Sequence, residues 1–134
     1  MDISLHTTGS EIVIENFRRL EKKAGNMRSA FGKIADLMTK SHEVNFKSQG
    51  SRFGKKWGAR KRSYPWPILQ KTGKLSKSFK SSYDSHSAMV ENTASYAKWH
   101  QGGTRKMAAR PIVGWADKDL NDAVRVLRKS IMED

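Results

Sequence analysis

The chain has no cysteine. That excludes disulfides and thiolate metal sites, and it suits a protein made and used in the cytoplasm. It has three prolines, and none falls within the first 64 residues. No run approaches the ~20 apolar residues that cross a bilayer, and the amino terminus has no basic region followed by an apolar one. A membrane partner and a secretory route are therefore not expected. The most informative absence is acidic: from Val44 to Tyr83, a stretch of 40 residues, there is no Asp or Glu.

That stretch carries eleven basic residues, among them Lys47, Arg52, Lys55, Lys56, Arg60, Lys61 and Arg62. Phe46, Phe53, Trp57, Tyr64, Trp66 and Phe79 lie between them. Such a segment repels itself unless something negative lies against it, so it points to binding of nucleic acid or an acidic protein surface. The whole chain of 134 residues has a formal charge of +13, yet residues 1–43 hold acids and bases near balance. The length fits a single domain over 1–134.

Ile3 and Leu5 alternate with polar neighbours and predict a short strand. Thr8 and Glu11 have capping-box spacing, followed by Val13, Phe17, Leu20 and Ala24, which predicts a helix ended by Gly25. A second helix is expected from near Asn26 to about Phe46, with Met27, Phe31, Ile34 and Met38 on one face. Residues 48–67 hold three glycines and two prolines without periodicity and predict a long basic loop. Strands are expected over 77–83 and 87–92, a helical turn over 96–101, and a final helix from Asp117 whose acids precede its bases. The fold class is then α+β: an N-terminal helical pair, a small antiparallel sheet and a C-terminal helix packed on the sheet.

Catalytic signatures are missing. The four histidines show no metal-ligand spacing, the Gly-rich loop lacks a Gly-Lys-Ser/Thr ending, and no nucleophile elbow occurs. We expect no enzyme, no cofactor and no metal. Trp57 and Trp66 are expected as exposed anchors, and Trp99 and Trp115 in the core or a subunit interface. The candidate contact residues are Arg52, Lys55, Lys56, Trp57, Arg60, Lys61, Arg62 and Trp66.

Four segments, in order, resemble a known family. They are Phe46 with Gly50, Phe53, Gly54, Lys56 and Trp57; Ile68-Leu69-Gln70-Lys71-Thr72-Gly73-Lys74-Leu75-Ser76-Lys77-Ser78; Tyr96-Ala97-Lys98-Trp99-His100-Gln101-Gly102-Gly103; and Ala109-Arg110-Pro111-Ile112-Val113-Gly114. This series is similar to the virion morphogenesis family of tailed bacteriophages, the Mu-like tail-completion or neck proteins. The chain departs from the family pattern in a shorter, more basic stretch between Trp57 and Ile68, and in Ile112 where an aromatic residue is usual.

The resemblance implies a structural virion protein acting in tail completion or head–tail joining as a neck or tail-terminator ring, with six subunits suggested. Its partners would be copies of itself, neighbouring neck, connector or tail-tube proteins, and genomic DNA in the lumen. It would reside in the virion neck or tail after assembly in the host cytoplasm. The alternative is a sequence-nonspecific nucleic-acid-binding protein, whose affinity would fall steeply with salt. The motif residues Thr72, Gly73, Leu75, Tyr96, His100, Gln101, Gly103, Arg110 and Pro111 read as determinants of fold. Thr72 and Gly73 make a turn, His100 hydrogen-bonds rather than catalyses, Gln101 satisfies backbone at its own turn's end, and Arg110 enters a buried ion pair.

Overall fold

The computed structural model describes residues 3–16, 27–60, 63–65, 68–70, 72–105 and 108–132. Two strands open the chain, β1 (Ile3–Thr8) and β2 (Glu11–Asn16). They form an antiparallel hairpin in which Thr8 faces Glu11. Gly9, with φ +63°, supplies the left-handed residue that a two-residue hairpin turn requires.

The helix expected from Thr8 and Glu11 is therefore corrected over 11–16. The β-branched run Ile12-Val13-Ile14 suits a strand, and Ile12 and Ile14 are buried while Glu11, Val13 and Glu15 are not. Pairing on both sides of β2 satisfies its backbone and overrides the local capping signal. The rest of that expected helix, with Phe17, Leu20, Ala24 and Gly25, lies outside the described residues.

Helix α1 (Arg28–Lys47) follows the expected stripe, burying Phe31, Ile34, Met38 and Phe46. It ends where Gln49 and Gly50 turn left-handed, at φ +53° and +95°, and Gly50 N–H returns to the Asn45 carbonyl. A 3-10 turn (Ser51–Phe53) begins the loop, and a single helical turn α2 (Lys74–Lys77) leads into β3 (Phe79–Tyr83). Strand β4 (Ser87–Asn92), a short helix α3 (Ala97–Gly102) and helix α4 (Asp117–Met132) complete the chain.

The strands form one antiparallel sheet in the order β1-β2-β4-β3. Its inner face presents Ile12, Ile14, Ala88 and Val90, all fully buried. Helix α1 lies on that face against β3 and β4, and α4 packs alongside α1 through Ala123 and Leu127. Val90, between two hydrogen-bonded neighbours on the inner face, marks the centre of the core. The result is α+β, with the C-terminal helix completing the helical layer.

Candidate functional site

The basic loop is braced into the core by its own aromatic residues. Phe46, at the end of α1, meets Trp57 edge-on with ring centroids 5.2 Å apart, and Phe79 at 5.7 Å. Phe53 lies 4.8 Å from His42, which is itself 5.1 Å from Phe79. Trp57 retains only 5% exposure. Its backbone N–H bonds to the Gln49 carbonyl at 2.6 Å and its indole N–H to the Pro111 carbonyl at 2.9 Å.

This corrects the placement of Trp57 as an exposed anchor. An indole can bury when its one polar atom finds an acceptor, and Pro111 provides it. Gly50 makes the room: a Cβ there would stand 2.5 Å from Trp57 Cδ1.

Arg52 is also turned inward. Its Nη2 donates to Asp119 Oδ1 at 2.6 Å and its Nε to Ser41 Oγ at 3.1 Å. The Ser41 hydroxyl donates to Asp119 Oδ2 at 2.7 Å, and the same oxygen accepts the Ala116 N–H at 2.8 Å. Asp119 thus ties the loop to α1 and caps α4 from its third position, in the manner of a capping box. The structure withdraws Arg52 from the set of outward contact residues, because its charge is already matched.

Lys55 and Lys56 are exposed, and Arg60 is half-exposed, with its guanidinium 5.5 Å from the Tyr64 ring and Nη2 3.4 Å from the Tyr64 carbonyl. Lys61, Arg62 and Trp66 lie outside the described residues. The loop therefore presents Lys55, Lys56 and Tyr64 outward, while Trp57 turns into the core and Phe53 packs on His42.

The later motifs converge on the same region. Gly73, at φ +73°, starts α2, Thr72 Oγ1 accepts the Lys74 N–H at 3.2 Å, and Leu75 is buried. Gln101 binds a neighbouring strand of backbone. Its Oε1 accepts the Ile112 and Val113 N–H groups, each at 2.9 Å, and its Nε2 donates to the Val113 carbonyl at 2.8 Å. That corrects the expectation that it serves its own turn, which Gly103 closes instead at φ +74°.

Arg110 makes no ion pair among the described residues. It donates to the Gly58 carbonyl at 3.1 and 3.3 Å and to that of Ala59 at 3.4 Å, holding the loop from the other side. Carbonyl oxygens suffice because the guanidinium remains partly hydrated. Trp99, expected in the core or an interface, is outside the core at 51% exposure, and Trp115 packs partly against it.

Two histidines stay neutral in the fold. His42 is buried, and Nδ1 lies 2.6 Å from the Met38 carbonyl, so that nitrogen carries the proton. Nε2 then accepts the Gly114 N–H at 3.4 Å. Burial holds its pKa below the ordinary value, against the opposing pull of the Met38 bond and the Asp119 charge. His100 packs edge-on to Tyr96 at 5.8 Å and beside Arg110, and burial, then the Arg110 charge, lower its pKa. Its Nδ1 has no hydrogen-bond partner among the described residues.

A base whose folded pKa is depressed takes up protons on unfolding. Its contribution is complete above the unfolded value of about 6.5 and is lost as pH falls toward the folded value. We expect the thermal midpoint to fall between pH 7.5 and 5.5, above the carboxylate range, and His100→Gln to flatten part of that fall. A level profile across that window in the wild type would contradict the assignment.

Ser41, His42, Asn45 and Asp119 were not singled out from sequence. The first three occupy positions of the buried α1 stripe, and a polar residue on such a stripe is the signal that marks a bonded network. Asn45 joins it by accepting the Phe53 N–H at 3.3 Å and donating to the Pro111 carbonyl at 3.5 Å.

Among the described residues, no group of three or more metal-ligating side chains converges, and no helix is long and apolar enough to cross a membrane. The geometry defines an α+β protein with a basic loop cross-braced by Trp57, Arg52 and Arg110. The chain belongs to the phage virion morphogenesis family, whose family model matches residues 10–131. Membership implies a structural or assembly role in a phage and association with the virion. No curated protein and no solved structure matches the chain.

Proposed function

We propose that the protein is a non-enzymatic subunit of the phage neck or tail, acting in tail completion or head–tail joining as a homo-oligomeric ring. The observation that carries this reading is the direction of the loop's side chains within a virion morphogenesis chain. Lys55 and Lys56 face outward from a segment anchored at Trp57, Arg52 and Arg110, so the cations are offered on a firm base. A braced basic surface loses little entropy on contact and suits docking against acidic neighbours or the genome's phosphates.

The rival reading, a free nucleic-acid-binding protein, is less well served. Single-strand binding uses aromatic faces for stacking. Phe46, Phe53, Trp57 and Phe79 spend theirs on one another and on His42.

The test is electron microscopy of lysates from the parent phage with this gene disrupted. Filled heads lying apart from tails, or tails of uncontrolled length, are the expected result. Normally joined particles would sink the proposal and promote the DNA-binding alternative.

A further inference from the structure

The sheet has a second face, and its charge is the reverse of the loop's. Strand alternation turns Glu11, Val13 and Glu15 of β2 outward, and Met89 and Glu91 of β4 beside them, all half-exposed. Helix α1 occupies the opposite face, against β3 and β4. Val13 and Met89 are register partners at the middle of this outer face, and Glu11 and Glu91 are partners one row away. Like charges directly opposite each other destabilise a sheet. Neither Glu11 nor Glu91 has an ion pair among the described residues.

The helices interleave their acids with bases more closely. Asp119 has Arg52, Asp122 has Lys118 at 2.7 Å and Arg125 at 3.6 Å, and Asp36 and Glu43 stand one helical turn from Lys33, Lys40 and Lys47. Two bases share the sheet's outer face, Lys80 of β3 as the register partner of Glu91 and His6 of β1 at 3.2 Å from Glu15. With three glutamates about the apolar pair Val13 and Met89, that face still keeps an acidic balance in a chain of net charge +13.

We propose that this outer sheet face is the docking surface for a second copy of the chain, and that the element docking there is that copy's basic loop at Lys55 and Lys56. The proposal deepens the ring reading above and rests on it for the existence of a homo-oligomer. Two features argue for a second copy. The loop offers the missing charge, with no acid of its own from Val44 to Tyr83. The two surfaces also lie on different sides of the molecule, the loop being fastened to the helical layer and the acids to the far side of the sheet. Complementary patches on different sides make a heterologous, head-to-tail contact, the kind that closes into rings. An isologous pair would need both patches on one side of the molecule.

Salt should act in two directions. At ~0.01 M the Debye length is about 30 Å and the net charges of two copies repel; at ~0.15 M it is about 8 Å and contacting pairs survive; at ~1 M it is about 3 Å and these are screened as well. Self-association is therefore expected to peak at intermediate salt.

The experiment is sedimentation velocity on the purified full chain at about physiological salt, comparing wild type, Glu11→Lys with Glu91→Lys, and Lys55→Glu with Lys56→Glu. The face variant keeps a like-charged pair at 11 and 91 but also sets Lys80 opposite a lysine, a modest cost to the sheet that recovery in the mixture separates from loss of the contact. Each variant alone should associate at least about tenfold more weakly than wild type. An equimolar mixture should recover, because every loop then meets a face of opposite sign in an alternating assembly. Neither a folding defect nor a face meant for an unrelated basic protein would produce that recovery. A mixture that stays monomeric, variants that associate as wild type does, or a wild type monomeric at every salt would each overturn the proposal. Recovery in the mixture alongside normal particles from the disrupted phage would leave this contact standing and remove the neck role alone.

Discussion

Trp57→Ala is expected to destabilise the protein by about 3–5 kcal/mol, the range for truncating a large buried aromatic. Two losses combine. The ring is buried against Phe46 and beneath Gly50, whose missing side chain leaves no slack for rearrangement. The indole N–H also holds the Pro111 carbonyl, linking the loop to the segment that Gln101 binds. Against a total stability of roughly 5–15 kcal/mol, such a loss is a large fraction. In urea, with a slope of about 2 kcal/mol/M, the unfolding midpoint should move down by roughly 2 M. Trp57→Phe separates the contributions: it keeps most of the volume, gives up the hydrogen bond and should cost about 1 kcal/mol. An alanine variant as stable as wild type would return Trp57 to the surface and dissolve the braced loop.

Asp119→Ala should be nearly as damaging, at about 3 kcal/mol, the lower end for breaking a buried pair. The lower end applies because Arg52 keeps 24% of its side-chain exposure, so water can partly serve the stranded guanidinium, whereas Asp119 retains 8%. The same change removes the acceptor of the Ser41 hydroxyl and of the Ala116 N–H at the start of α4. Loss should show first as fraying of α4 and of the Arg52 region in hydrogen exchange, ahead of the sheet. A double-mutant cycle with Arg52→Ala isolates the pair, and a coupling near zero would mean that the contact contributes nothing to the fold.

Helix α1 and helix α4 were legible because each repeats an apolar stripe for several turns. The strands over 79–83 and 87–92 were legible from the turn Asp84-Ser85-His86 between them. The failure at β2 has a definite cause. A capping box and a helical series at 13, 17, 20 and 24 coexist there with a period-two pattern at 12 and 14. The choice went to the strand because β1 and β4 lie on either side of it.

The site divides the same way. Sequence marked a basic loop, but within it Trp57 and Arg52 face in while Lys55 and Lys56 face out. No periodicity governs an irregular segment, so nothing local indicates which way a side chain points. The partners that decide it are distant: Pro111 lies 54 residues beyond Trp57, and Asp119 lies 67 beyond Arg52.

By itself the sequence determined the charge asymmetry, the helical stripes and the order of the four motifs that mark a virion morphogenesis chain, because these are sums or short-range patterns along one strand of residues. Only the tertiary structure decided that Trp57 of the basic loop belongs to the core and that Arg110 holds carbonyls rather than a carboxylate. It also gathered Glu11, Glu15 and Glu91 on one sheet face. Each of those depends on which distant backbone group or neighbouring strand completes a buried polar atom's bonds, and that information exists only once the chain has closed on itself.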